Sequence, residues 1–333
     1  TNGITYNDGS LQPSAPVGRN LIINGNMAIN QRGSASYDIT GAVYTLDRYR
    51  GGASIASKFS IAQGTTTPPA GFTNYLQVTS SASTTIGSTN SYSFFQRVEG
   101  YNVADLNWGT SDAQTVTMSF WVRSTLTGTF GGKLQNSAQN RIYIFSYTIS
   151  SANTWEKKTI TVTGDTTGTW LTTNGVGLSI NFSVGAGSGK EATAGSWGTD
   201  NIPIQPTGST NVVATSGATW QITGLQLEAG TTATPFEHLQ YGTQLALCQR
   251  YFEVVDTGSA NAAYGTPGAV SSGRVGYISY TYNTSKRANP TVVMASGGTL
   301  STLQTAGLNV ASAYASTDIY PRFNPGSTFS SEL

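Results

Sequence analysis

The sequence predicts an all-β chain: an antiparallel β-sandwich of the jelly-roll kind, followed by a short helix and a second, smaller β domain. Two observations carry this. Apolar residues recur mostly with period two in short runs, as strands with one buried face require. Polar, glycine-rich connectors such as "TGDTTGT", "TTNGVG" and "GAGSGKEATAGSWGTD" separate those runs. Many short strands joined by such turns favour a sandwich over alternating βαβ units.

Taken in order, the first 18 residues read as an extended arm, 19–240 as the sandwich and 241–333 as the helix and tip domain. The clearest strand is "TVTMSFWVR", where Val116, Met118, Phe120 and Val122 alternate with Thr115, Thr117, Ser119, Trp121 and Arg123. Trp121 interrupts the otherwise polar face, which marks it as a patch for a ligand or neighbouring chain, or as a ring that a second layer covers. Next, "RIYIFSY" interleaves Tyr143, Phe145 and Tyr147 with Ile142 and Ile144, and "KKTITVTG" sets Ile160 and Val162 on one face. In "WQITGLQLE" Trp220 and Ile222 alternate, then Leu225 and Leu227, and the phase slip at Gly224 predicts a bulge.

A helix is predicted over Thr243–Tyr251, with Leu245, Leu247, Cys248 and Tyr251 along one side and Thr243 as its cap. Strand character returns in "FEVVD", "RVGYISYTY", "TVVMAS" and "YPRFNPGSTFSSEL".

Composition narrows the function. With 17 Lys+Arg against 16 Asp+Glu the net charge is +1, so no bulk field draws the chain to nucleic acid or anionic lipid. Charged residues are only 10% of the chain, leaving a surface of Ser, Thr, Asn, Gln and Gly that suits an extracellular or particle-bound protein. A single cysteine excludes an internal disulfide framework. No apolar run is long enough to span a bilayer, and the N-terminal residues lack the pattern of a signal peptide; no membrane insertion is expected.

The chain's one histidine, His238, and its one cysteine, Cys248, fall ten positions apart. Were 238–248 helical, they would be about 15 Å apart at a rise of ~1.5 Å per residue, too far for a thiol and its base. Zinc wants four ligands, and one His with one Cys cannot supply them. No cofactor is expected. "GAGSGKE" departs from a phosphate-binding loop, since Val184 stands where the first glycine belongs and Glu191 follows Lys190. Asp47, Glu99, Asp105, Asp165 and Glu228 are material for a glycosidase pair, but no motif selects one.

The segments "GITYNDGSLQPSAP" (3–16), "GRNLIINGNMAINQRG" (18–33), "YTLDRY" (44–49), "ITGLQLEAGTTATPFEHLQYGTQLALCQRYF" (222–252) and the closing "FSSEL" together resemble tail-fibre-like structural proteins of tailed bacteriophages. The resemblance implies a carbohydrate-binding-module-like jelly roll between the two signatures and a homotrimer on the exterior of the virion. It makes Glu237, His238 and Cys248 scaffold at the exit from the sandwich.

On this reading the protein is no enzyme and works by receptor binding and host adhesion. Its N-terminal arm, with Ile4, Tyr6 and Asp8, would attach to other virion proteins of the tail, baseplate or capsid by strand addition or groove packing. Exposed aromatics, Tyr277, Tyr280, Tyr282 and Tyr320 in the tip and Trp121 in the sandwich, are the candidate platforms for host-surface glycan. Trp108 and Trp197 are weaker candidates. The alternatives are a capsid decoration or head-fibre protein and, second, a polysaccharide depolymerase.

Overall fold

A computed structural model describes residues 18–255, 266–267, 278–279, 282–293 and 327–333, with two short paired strands, Ile4–Thr5 and Leu11–Gln12, ahead of them. The chain divides into two compact units, Thr1–Gln240 and Tyr241–Leu333.

The first unit is an antiparallel two-sheet sandwich of the jelly-roll class. Its seven-stranded sheet runs, in spatial order, Trp197–Gly198, Ile142–Ile149, Gly128–Gln135, Val176–Ala186, Ser91–Glu99, Tyr49–Ala53 and Val43–Tyr44. The six-stranded sheet runs Glu156–Val162, Val116–Ser124, Thr219–Ala229, Tyr75–Ser80, Phe59–Gly64 and Tyr37–Asp38. Successive strands cross repeatedly from one sheet to the other, so the alternating apolar residues of both sheets meet in one core. Phe182 is its hub. Its ring stacks on Phe94 at 5.3 Å and meets Phe120, Phe145 and Trp220 at 5.3, 5.4 and 5.8 Å.

The strand Val116–Ser124 buries Val116, Met118, Phe120 and Val122, as period two requires. Its polar face is not fully solvated, however: Thr117 and Ser119 are also buried. Thr117 Oγ1 donates to the carbonyl of Gly230 at 2.8 Å, so the chain leaving the last strand of the sandwich lies over that face. Gly224 forms the expected bulge. It takes φ +63°, and the pairing with Val116–Ser124 skips between Thr223 and Gln226.

The segment 18–33 takes no regular structure yet is firmly tied. Asn20 Nδ2 donates to Leu225 O at 3.2 Å, while its Oδ1 accepts from the amides of Leu227 and Ile22, both at 3.0 Å. Gln96 exchanges two hydrogen bonds with the backbone of Ile23, at 3.0 and 2.9 Å. Glu237 accepts the amides of Gly18 and of Asn20, the latter at 2.9 Å, and its own amide donates to Gln226 Oε1 at 2.8 Å. Two signatures some 200 residues apart in sequence are therefore one buried polar knot.

In the second unit the helix spans Tyr241–Gln249, starting and ending two residues before the predicted bounds. Its buried residues are Gln244 and Cys248, one turn apart, while Leu247 is 37% exposed. Leu245 and Leu247 therefore do not form the buried stripe expected of them, and Thr243 lies within the helix, not at its cap. The strands Phe252–Val255, Ser327–Ser330 and Thr291–Val293 form an antiparallel sheet in that order, and Thr266–Pro267 pairs with Ile278–Ser279. Among the described residues no helix is long and apolar enough to cross a membrane.

Candidate functional site

Strand alternation sends every second residue of the seven-stranded sheet away from the core. Register then aligns Tyr44, Arg50, Phe95, Asn181, Lys133 and Ile144 in one row across six strands. A neighbouring row carries Arg97, Ser179, Gln135 and Ile142. Arg50 and Lys133 are three strand spacings apart, about 14 Å at ~4.8 Å per spacing.

The row differs along its length. Tyr44, Arg50, Phe95 and Arg97 are half-buried, whereas Asn181 and Lys133 are only 8% and 4% exposed. Lys133 is covered by the segment 188–206, braced by a parallel pairing of Glu191–Ala192 with Gln205–Pro206. Gln205 anchors this roof, accepting from Ser183 Oγ at 2.7 Å and donating to Glu191 Oε1 at 3.0 Å. "GAGSGKE" belongs partly to this roof: Gly185 and Ala186 complete a strand, Ser188–Lys190 is a single 3-10 turn, and no phosphate cradle forms.

Three buried polar atoms on this face have no hydrogen-bond partner among the described residues: Arg50 Nε, Asn181 Oδ1 and Gln135 Oε1. An unpaired buried polar atom costs about 1–3 kcal/mol, a cost that a partner reaching these atoms would relieve. Lys133 donates weakly to Asn201 O at 3.4 Å. Burial and then the nearby Lys190 push its pKa down to about 8, against the pull of Asp200. Burial is also the first cause lowering Arg97; Tyr44 opposes the shift and Arg50 adds to it.

A concavity opens where the 3-10 turns after Glu99 meet the loop 170–172. It encloses about 130 Å³ against Leu106, Trp108, Trp170, Leu171 and Leu178. Trp108, Trp170 and Trp197 pack edge to face at 4.7–5.4 Å, and their indole N–H groups donate to the carbonyls of Gln114, Thr167 and Thr163. All three donors are thus satisfied internally, and Trp197 is the half-buried member of the trio.

The residues singled out in the sequence are scattered. Trp121 is half-buried on the outer face of the other sheet, between Lys157 and Thr223. Tyr282 is half-buried in the second unit, with the Lys286 ammonium 5.2 Å from its ring centre. Ile4 lies in a two-residue strand whose side chains are outside the description. Tyr277, Tyr280, Tyr320, Tyr6 and Asp8 lie outside the described residues. His238 packs against Phe236 at 4.9 Å and Phe72 at 5.4 Å, and Cys248 is buried in the helix of the second unit.

Most of the carboxylates considered for catalysis have structural partners. Asp165 takes both arms of Arg141 at 2.7 Å, Asp47 holds the amide and side chain of Gln31, and Glu228 holds Thr234. Glu99 is 1% exposed and Asp105 is exposed. Among the described residues no group of three or more His, Cys, Asp or Glu is placed to hold a metal ion. The sequence pointed to none of Arg50, Phe95, Arg97, Lys133, Gln135 or Asn181. The available signal was alternation in "YSFFQRVE" and "INFSVG", where polar and aromatic residues fall out of phase with the core.

No family model matches the chain, and no curated protein matches it in sequence. Among solved structures, similarity is found to the enzymatically active domain of bacteriophage CBA120 tailspike protein 4. The identity is 11% and the TM-score 0.36, over 64% of this chain and 22% of that one. TmCBM61 in complex with β-1,4-galactotriose matches at 10% identity and TM-score 0.32, over 64% of this chain and 99% of that one. A family 11 carbohydrate-binding module from Clostridium thermocellum, in complex with a mixed-linked tetrasaccharide, matches at 10% and 0.30, over 61% and 98%. The chain thus spans about a fifth of the tailspike chain's length. The fold class rests on the sheet topology, not on these distant matches.

Proposed function

We propose that the chain is a fibre-like structural protein on the exterior of a tailed-phage particle, which binds host-surface glycan and does not turn it over. The observation that carries the binding half is the outer face of the seven-stranded sheet, where Asn181 Oδ1 and Gln135 Oε1 sit buried without partners beside Phe95. Carbonyl-type oxygens of this kind accept hydrogen bonds from hydroxyl groups, which a glycan supplies in number. The structural work of Asp47, Asp165 and Glu228 supports binding over hydrolysis.

The virion half rests on the paired sequence signatures. On this reading the arm containing Ile4, Tyr6 and Asp8 attaches to tail, baseplate or capsid proteins, and the chain acts as a homotrimer.

Counting copies of the chain per purified particle tests the placement. A count in the low tens fits a fibre; a count in the hundreds replaces the fibre reading with capsid decoration. Incubation of the purified chain with host envelope polysaccharide tests the mode of action: retention without release of reducing ends is expected, and steady release would establish a depolymerase.

A further inference from the structure

Resting on the glycan-binding reading of this face, we infer that its ligand is an acidic glycan, with carboxylate or phosphate groups held by the half-buried Arg50 and Arg97 and hydroxyls held by Asn181 and Gln135. The two aromatic rings of the face are already engaged. Tyr44 has the Arg32 and Arg50 guanidiniums 5.3 and 5.2 Å from its ring centre, and Phe95 has Arg50 and Arg97 at 5.9 and 5.3 Å. A guanidinium held against a ring keeps its N–H edge for a planar anion, so these rings position cations before they stack sugars.

Positive charge gathers at the rings: Arg32, Arg50 and Arg97 crowd Tyr44 and Phe95, while Glu191 of the roof is engaged by Gln205 and the Gly208 amide. The charged and titratable neighbours acting on Arg97 are Tyr44 and Arg50, and those acting on Lys133 are Lys190 and Asp200. Asp200 is thus the one carboxylate among the groups acting on these two cations. In a chain of net charge +1 this is a local concentration of positive charge, and a half-buried one is screened less by salt than exposed charges. Arg50 Nε adds an unpaired donor within the same row as the unpaired Asn181 Oδ1. A polyhydroxylated anion satisfies both kinds of atom at once; a neutral glycan leaves the cations unmatched.

The test compares four immobilised polymers against the intact chain: polygalacturonate, its fully methyl-esterified neutral form, phosphomannan and neutral mannan. Binding to at least one acidic polymer at least tenfold tighter than to its neutral counterpart is expected, with polygalacturonate and phosphomannan separating carboxylate from phosphate as the preferred group. Arg97→Met should lose at least fivefold on the acidic polymer and Arg97→Lys should lose less, each variant being checked for an unchanged melting temperature. Equal affinity for acidic and neutral polymers overturns the acidic inference and leaves glycan binding standing. Absence of binding to all four overturns both.

Discussion

Asn20 and Leu227 join the two ends of the sandwich: the Leu227 amide donates to Asn20 Oδ1 at 3.0 Å across 207 residues of sequence. The same side chain also holds Leu225 O and the Ile22 amide. Three hydrogen bonds at about 1 kcal/mol each give an expected loss of about 3 kcal/mol for Asn20→Ala. Urea unfolding should show a lower midpoint with an unchanged slope, and a loss below 1 kcal/mol would show that the knot is not holding the sheet.

Gly224 and Phe72 should be energetically coupled. A Cβ on Gly224 would lie 2.5 Å from Phe72 Cζ, and the backbone there has φ +63°. Gly224→Ala should cost about 1–3 kcal/mol from the backbone alone, with a further cost from the collision. In a double-mutant cycle Phe72→Ala should relieve the collision, giving a coupling of about 0.5–3 kcal/mol; strict additivity would place the whole effect in the backbone.

In the second unit, Lys286 (4% exposed side chain) pairs with the fully buried Glu253, which also accepts from Asn283 Nδ2 at 2.6 Å. Burial is the first cause lowering the Lys286 pKa, and Glu253 works against it. Removing one partner strands a buried charge, so Lys286→Met should cost about 3–5 kcal/mol. Lys286→Met combined with Glu253→Leu should cost less than the single change. Thermal unfolding of both variants decides this, and a double variant worse than the single one refutes it.

Lys133 gives the stability of the sandwich a pH signature. Its pKa is about 8 in the fold against 10.5 for an unperturbed lysine. Between these values the unfolded chain binds the proton more tightly, so its contribution to stability improves as pH rises from 8 to 10.5. Lys133→Met should flatten that rise in unfolding free energy, and a rise of the same size in the variant would assign the titration to another group.

Much of the sandwich was legible before any coordinates. Tyr143, Phe145 and Tyr147 go to the core as alternation indicates, and the phase slip at Gly224 is the observed bulge. The helix was read less well, because periodicity treats Leu247 and Gln244 by hydropathy alone, and the fold buries the glutamine and exposes the leucine. The proposed binding face was not legible. Arg50, Phe95, Asn181 and Lys133 come from four strands spread over more than 80 residues, and only register aligns them. Alternation says which residues leave the core, not which residues on other strands they will meet. His238 and Cys248, the rarest residues, drew attention by scarcity; Cys248 is buried in the helix, and His238 is an exposed ring set against Phe236 and Phe72.

The measurement that bears most directly on the account is a side-chain amide NMR titration of the intact chain with host envelope polysaccharide. Asn181 and Gln135 should shift first and saturate together, with Trp121 and the Trp108 indole unmoved. Shifts confined to Trp121, to the Trp108–Trp170 cavity or to the second unit, with Asn181 and Gln135 silent, would contradict the assignment of this face as the binding site.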